Sequence, residues 1–230
     1  MKKGMEKKLD IIQTAENLFC RFGYENTSIQ QILDALHTSK GSFYHHFESK
    51  EKLLEEICIR RSHTITGQIV ANTENISDPV EALNALLSGL IPLNGEKLGF
   101  LLMLLPVFSL PEGWSVQRVY CRELSLRLDE PLQKTLESGR ETGAFAPLNI
   151  PRTAHIVLSL TNSLWCEICD MIILSEKQGE ICDPSELLRM ADAYRSSVER
   201  ILSAPFGSIR LVSIQDIKNL SEQIHAHWKK

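Results

Sequence analysis

Apolar residues recur at helical spacing along nearly the whole chain, and this periodicity limits the fold more than any other feature of the sequence. In the first segment, Ile12, Ala15, Phe19 and Phe22 follow one another at steps of three, four and three residues, which places them on one stripe of a helix. No segment alternates apolar and polar residues for the length that a half-buried strand needs. The sequence therefore predicts an all-α protein.

Residues that start and stop helices divide the first seventy positions into four helices. Gly23 is placed to end the first helix, because glycine enters the left-handed backbone region at little cost. Side chains suited to N-caps precede the other three helices: Thr27-Ser28, Ser39 before a helix that begins at Lys40, and Ser49 before a long helix over 49–72. The apolar residues expected to form one small core are Phe19, Phe22, Ile32, Phe43, Phe47 and Leu53.

Beyond residue 72 the pattern changes to longer helices separated by proline and glycine. Long helices are predicted over 112–141, 152–177 and 184–203, with a last one near 213–228. Pro131 lies inside the first of these and is expected to kink or split it, because proline lacks a backbone N–H and clashes with the preceding turn. We expect two domains, one over 1–55 and one over 56–230.

Composition and charge restrict the class of protein. A chain of 230 residues with 43% hydrophobic and 23% charged residues is long and apolar enough to bury a core, which argues against disorder. The first eight residues are too charged for a signal peptide, the six cysteines are unevenly spaced, and the longest apolar run, Leu98 to Phe108, is too short to span a membrane. We therefore expect a soluble, cytoplasmic protein with reduced thiols.

The net charge of −4 is unevenly distributed along the chain. Residues 1–62 hold 10 Lys and Arg against 9 Asp and Glu, whereas the rest of the chain holds 15 against 20. A mildly basic head on an acidic body suits a small phosphate-contacting module attached to a part that stays off nucleic acid.

The stretch from Thr27 to Leu54 carries the chemistry of the sequence. Two short helices joined by a tight turn follow the helix-turn-helix plan, in which the second helix enters a major groove of DNA. The start of that second helix holds small or cationic side chains next to free backbone N–H groups, which favour phosphate: Thr38, Ser39, Lys40 and Ser42. Gly41 lets backbone and DNA approach closely. Further polar groups extend from the same patch: Tyr44, His45, His46 and Lys50.

These residues resemble the DNA-binding domain of the TetR family of bacterial transcriptional regulators, over roughly residues 9–57. The resemblance rests on Gly23-Tyr24, Thr27-Ser28-Ile29, Ile32, the run from Ser39 to Phe47, Ser49-Lys50-Glu51 and Leu53. The rest of the chain is similar to the family in being helical and of suitable length, and in the run Leu132, Gly139, Gly143-Ala144-Phe145 before a long helix.

The resemblance implies a role for each matching position. Thr38, Lys40, Gly41 and Ser42 would contact DNA inside the groove; Tyr44, His45, His46 and Lys50 would contact backbone phosphates; Thr27, Ser28, Ile29 and Gln30 would meet phosphate or a base. The chain departs from the family at the turn, where Leu36-His37-Thr38 stands in place of the common Ala-Gly-Val. Lys40 is the sole cation of the recognition helix, so a bidentate arginine contact to guanine is not available there.

For the other candidate sites, a structural role has to be weighed against a functional one. His45-His46 lacks a nearby third metal ligand, so phosphate contact is the preferred role and no metal or cofactor is expected. Cys166-Glu167-Ile168-Cys169 is a single CxxC, which favours packing or pocket lining, with thiol redox sensing as the alternative. Residues that would pack helices or line a ligand cavity are Phe100, Met103, Phe108, Trp114, Tyr120, Trp165 and Cys169.

The function predicted from these features is ligand-responsive transcriptional regulation. The main hypothesis is a repressor that binds a palindromic operator as a homodimer, pairs through the helices over 152–177 and 184–203, and is released by an unidentified small-molecule effector. The alternatives are a DNA-binding activator, a regulator without an effector, and a helical enzyme or adaptor. No nucleotide-binding, metalloprotease or serine-hydrolase motif occurs in the sequence, so an enzyme is not expected.

Overall fold

The computed structural model describes residues 2–91, 95–111, 113–180 and 182–228. Within these residues the secondary structure is entirely helical, which confirms the all-α prediction. The ten helices are α1 (Lys2–Phe22), α2 (Ile29–Ala35), α3 (Lys40–His46), α4 (Lys50–Thr73), α5 (Pro79–Leu90), α6 (Gly95–Phe108), α7 (Gly113–Glu141), α8 (Ile150–Gln178), α9 (Pro184–Leu202) and α10 (Ile214–Trp228).

The long helix α7 continues through Pro131, so the proline does not split the helix, and the predicted kink stays a prediction. The hydroxyl of Thr135 donates a 3.1 Å hydrogen bond to the Pro131 carbonyl one turn later. Buried leucines lie at steps of four residues on both sides of the proline: Leu124, Leu128, Leu132 and Leu136. Burial of this stripe holds both halves of the helix in place, which offsets the hydrogen bond that proline removes.

The chain divides into two compact units. Unit 1 comprises residues 1–62 and 99–120, and unit 2 comprises residues 63–98 and 121–230. Among the described residues three helices, α4, α6 and α7, contribute one end to each unit, so the backbone passes between the units within continuous helix. The proposed boundary at residue 55 stays a prediction.

The core of unit 1 contains the predicted apolar residues with one exception. Phe19, Ile32, Phe43, Phe47 and Leu53 are all buried. Phe22, predicted to join them, is 47% exposed, and its ring lies beneath the Arg21 guanidinium, 5.0 Å from ring centroid to carbon. The helix ends directly after it, because Gly23 adopts φ +85, and this leaves Phe22 at the rim of the core.

The core of unit 2 is built on α8, which packs against α9 and α5. Asn149 caps α8 by accepting a 3.0 Å hydrogen bond from the backbone N–H of Arg152, and Gly179 ends it in the left-handed conformation. Asn84 on α5 is buried and bonds the backbone of Ser208 at 2.9 Å and of Arg210 at 2.8 Å. These contacts fix the loop that follows α9.

Helix α8 is also the described helix with the length and apolar character of a membrane span, at a mean hydropathy of 1.5. The run from Leu98 to Phe108, singled out from the sequence, is shorter. Half of the most apolar window of α8 is buried inside the protein, as in the central helix of a globular domain, which passes the same test.

Candidate nucleic-acid interface

The helix-turn-helix begins with a capping box at Ser28. The Ser28 hydroxyl accepts a 3.2 Å hydrogen bond from the backbone N–H of Gln31, and the Gln31 side chain accepts a 2.6 Å bond from the backbone N–H of Ser28. Together they satisfy two backbone donors that the first turn of a helix leaves free. Ser28 therefore caps α2 as predicted, while its side chain remains exposed. The neighbouring Ile29 is half-buried and Gln30 is exposed.

His37 makes the turn between α2 and α3 in the left-handed conformation, with φ +48. The N–H of His37 bonds the carbonyl of Asp34 at 3.2 Å, and the N–H of Thr38 bonds the carbonyl of Leu33 at 3.0 Å. This pair of bonds is a Schellman motif, which most proteins build with glycine at the left-handed position. The turn thus closes with histidine where the family commonly has glycine.

Helix α3 exposes its first turn and buries its aromatic face. Ser39 caps it, accepting a 3.3 Å hydrogen bond from the backbone N–H of Ser42, and Lys40 and Gly41 are exposed. On the opposite face, Phe43 and Phe47 are 0% and 4% exposed, with ring centroids 5.8 Å apart. The two rings anchor a short helix that could not hold its conformation alone.

Tyr44 and the two histidines extend from the same helix. Tyr44 is 55% exposed, and the ring centroids of His45 and His46 lie 4.9 Å apart. Partial burial, His45 and Lys8 all lower the pKa of His46. The lowered pKa favours the neutral form of the His46 imidazole.

No group of three or more His, Cys, Asp or Glu side chains within the described part of the chain could hold a metal ion.

Lys50 and Thr27 hold the module together rather than extending into solvent. The Lys50 ammonium donates to the carbonyls of Tyr24 and Thr27, at 2.9 and 3.0 Å, and lies 4.2 Å from the centroid of the Tyr24 ring. Thr27 is 1% exposed, and its hydroxyl donates a 2.8 Å bond to the Gly23 carbonyl. Both side chains have an internal structural role that the sequence did not indicate, and their contact with DNA stays a prediction.

Lys40 differs from Lys8 and Lys52 of the same unit in its surroundings. Lys8 pairs with Glu56 at 3.0 Å, and Lys52 pairs with Glu55 at 2.8 Å. Among the described residues, Lys40 has no acidic partner within ion-pair distance. Its charge is therefore available to a phosphate.

The residues predicted to line a ligand cavity fall into both units. Phe100, Met103 and Tyr120 are buried in unit 1, where the rings of Phe100 and Tyr120 lie 5.9 Å apart, and Phe108 is half-buried there. Trp165 and Cys169 are buried in unit 2.

Trp114 does not line an interior cavity. It is 70% exposed, with the Arg118 guanidinium 5.7 Å from its ring centroid. It lies in the first turn of α7, before the buried stripe of that helix begins, so no neighbour covers it.

Within the described part of the chain, two buried polar atoms lack a hydrogen-bond partner, which the sequence did not indicate. They are Nε2 of Gln117 in unit 1 and the indole Nε1 of Trp165 in unit 2. A buried donor without an acceptor costs free energy unless a bound group supplies one. Periodicity identifies such residues as core, but it carries no information about whether a donor finds an acceptor.

Comparison with known proteins gives one family match. A family model described as bacterial regulatory proteins of the tetR family matches residues 11–57. This range runs from the second half of α1 into α4 and includes every residue of α2 and α3.

Two regulators show how far the similarity extends along the chain. The uncharacterized HTH-type transcriptional regulator YerO of Bacillus subtilis is 29% identical over 137 residues, which span 57% of this chain and 46% of YerO. The HTH-type transcriptional repressor KstR2 of Mycolicibacterium smegmatis is 30% identical over 77 residues, which span 34% of this chain and 38% of KstR2. The chain thus covers less than half the length of these relatives.

A solved structure is similar in fold over most of this chain, beyond the helix-turn-helix. A putative transcriptional regulator from Saccharomonospora viridis, crystallised in complex with choline, is 23% identical with a TM-score of 0.53. The match covers 86% of this chain and 98% of that one. At this identity the likeness concerns the fold alone.

Proposed function

We propose that the chain is a transcriptional repressor of the TetR family that binds operator DNA as a homodimer, a proposal supported by the match of residues 11–57 to the family model and by the similarity to YerO. The observation that carries the proposal is the first turn of α3, where Ser39, Lys40 and Gly41 are exposed above a buried aromatic pair. Such a helix presents polar atoms to a major groove without rearranging.

The proposed contacts with DNA are assigned to side chains that are exposed on and around α3. Lys40 and Tyr44 supply a charge and a phenol at the surface of α3, and the half-buried Thr38 and Ser42 flank them. Gly41 allows close approach, while Ser28, Gln30, His45 and His46 border the patch. Because Lys40 is the sole cation on α3, one copy of the module gains little base discrimination.

Two copies are therefore needed, which supports a homodimer on a palindromic operator. The recognition helices of such a dimer bind half-sites about 34–36 Å apart. Large apolar side chains exposed on α8 and α9 suit a contact between copies: Ile156, Leu174 and Ile201. A symmetric pairing of these helices buries the same residues in both chains.

A small-molecule effector is the proposed means of release. KstR2 is named as a repressor, and the Saccharomonospora viridis regulator was crystallised with choline. In unit 2 the buried Nε1 of Trp165 is a donor that an effector with an acceptor group would satisfy. The effector releases DNA only if it binds more tightly to the conformation that fits the operator poorly. The protein would act in the cytoplasm.

The test is binding of the purified protein to DNA from upstream of its own gene, measured by fluorescence anisotropy at several salt concentrations. We expect tight binding that weakens steeply with salt, because phosphate contacts release counterions. Lys40→Ala and Tyr44→Ala should each weaken binding while leaving dimer mass and helix content unchanged. Lys134→Ala, which removes an exposed charge in unit 2, is the matched control and should bind normally.

Two results would refute parts of the proposal. Normal binding by both the Lys40 and Tyr44 variants would exclude α3 as the reading helix. Binding that increases transcription from the same fragment would favour an activator instead of a repressor.

A further inference from the structure

Two cysteines on different helices of unit 2 face each other, although they lie 45 residues apart in the sequence. The side chains of Cys121 on α7 and Cys166 on α8 are hydrogen-bonding neighbours, and Nδ2 of Asn162, one turn before Cys166, donates a 3.5 Å hydrogen bond to the Cys121 carbonyl. One turn away, the Asn162 side chain on α8 donates a 2.7 Å hydrogen bond to the hydroxyl of Ser125 on α7. The second contact holds the two helices together beside the thiols.

The surroundings distinguish Cys166 from the other cysteine of its CxxC sequence. Cys166 and Cys121 are both partly exposed, whereas Cys169 is 0% exposed. The hydrogen bond from Cys121 lowers the pKa of Cys166, against the opposing effects of burial and of the Asp170 and Glu167 carboxylates. Burial raises the pKa of Cys169 well above its usual range. Of the two CxxC cysteines, Cys166 is therefore the reactive one. The cysteine next to it in space is Cys121.

We propose that Cys121 and Cys166 form a dithiol that hydroperoxides oxidise reversibly to a disulfide between α7 and α8. In the first step the Cys166 thiolate attacks one oxygen of the hydroperoxide, the O–O bond breaks, and Cys166 becomes a sulfenic acid while the other oxygen leaves as an alcohol or as water. In the second step the Cys121 sulfur attacks the sulfenic sulfur and displaces water. Two thiols lose two electrons and two protons, and the peroxide is reduced by the same two electrons.

The position of Cys121 determines what the crosslink would restrain. Cys121 is the first residue of unit 2 on α7, directly after the last residue of unit 1, Tyr120. A disulfide there ties α7 to α8 beside one of the positions where the chain passes between units. A dithiol reductant would restore both thiols by exchange through a mixed disulfide.

The experiment treats the full-length protein with one equivalent of hydrogen peroxide and maps its cysteines by mass spectrometry of non-reduced peptides. We expect a crosslinked peptide pair joining Cys121 to Cys166, lighter by two hydrogen atoms and separated again by dithiothreitol. Cys121→Ser should abolish the crosslink and leave a sulfenic acid on Cys166 that dimedone traps. Cys169→Ser is the matched control and should crosslink like the unaltered chain, as should Cys20→Ser, which removes the exposed thiol of α1.

Three outcomes would overturn the proposal. They are a crosslink between Cys166 and Cys169, a Cys166 sulfenic acid that persists although Cys121 is present, and oxidation that reaches Cys20 while Cys166 stays a thiol. Each is read from peptides and is independent of DNA binding, so it does not depend on the proposed regulatory function.

Discussion

The backbone N–H of Thr38 donates a 3.0 Å hydrogen bond to the carbonyl of Leu33, and this bond closes the turn that sets α3 against α2. The chain can make it because His37, between them, adopts φ +48. A side chain in the left-handed region is strained by its Cβ atom, by roughly 1–2 kcal/mol for an average residue. The turn that orients the reading helix therefore stores a small amount of strain.

His37→Gly should stabilise unit 1. Glycine removes the strain at the left-handed position but gains freedom in the unfolded chain, so we expect a net gain of about 0.5–1 kcal/mol. Urea unfolding followed by circular dichroism measures it. His37→Val is the opposite control, because a β-branched side chain tolerates this backbone worst, and it should unfold at lower urea. If His37→Val and His37→Gly unfold at the same urea concentration, the backbone at this position is not strained.

Substitution of Lys50 should lower the stability of the protein, whereas substitution of Lys40 should weaken DNA binding. Lys50→Met removes an ammonium that donates to two carbonyls and lies over the Tyr24 ring, so we expect a loss of about 2 kcal/mol in the free energy of unfolding. Lys40→Met should leave the unfolding midpoint unchanged and weaken operator binding. It should also reduce the salt dependence of that binding by about one counterion. Chemical unfolding and anisotropy are measured on the same samples.

The reverse pattern would restore the role first assigned to Lys50. If Lys50→Met unfolds like the unaltered protein and loses a counterion from the salt dependence, its ammonium reaches a phosphate in the complex.

Local features of the fold could be read from the sequence because they depend on neighbours in the chain. Ser28 and Ser39 cap helices, and Phe43 and Phe47 are buried, as spacing alone predicts. The exposure of Phe22 and Trp114 could not be read in this way, because an apolar residue at a helix end is covered only if another element reaches it. The internal contacts of Lys50 and the pairing of Cys166 with Cys121 likewise join residues far apart in sequence. Periodicity does not encode such distances.

Because the Glu16 carboxylate is buried, the stability of unit 1 should depend strongly on its partner Arg61. Glu16 has a side chain only 7% exposed, and it accepts a hydrogen bond from Nε of Arg61, whose guanidinium lies 5.4 Å from the Phe100 ring centroid. Arg61→Met leaves a buried charge without its partner, which costs about 3–5 kcal/mol. We expect a large fall in the thermal midpoint.

The double variant Glu16→Gln with Arg61→Met supplies the control for that loss. It removes the charge together with its partner, so it should recover more than half of the lost stability. A double variant no more stable than Arg61→Met would mean that the loss comes from packing of the arginine stem on Phe100 rather than from the charge.

For the substitution Gly139→Ala, helix propensity predicts a gain in stability and core packing predicts a loss. Gly139 lies in α7, where alanine is ordinarily favoured over glycine by about 1 kcal/mol. A Cβ atom at this position would lie 2.0 Å from the ring of Phe145, which is 2% exposed and whose backbone N–H bonds the Gly139 carbonyl at 3.0 Å. The ring cannot move without opening the core, so Gly139→Ala should destabilise unit 2, by about 1–3 kcal/mol. Gly67→Ala in α4 is the matched control, because its Cβ would meet nothing within 4 Å, and it should raise the thermal midpoint. Calorimetry on both variants measures the difference, and a rise for Gly139→Ala would show that Phe145 is free to move.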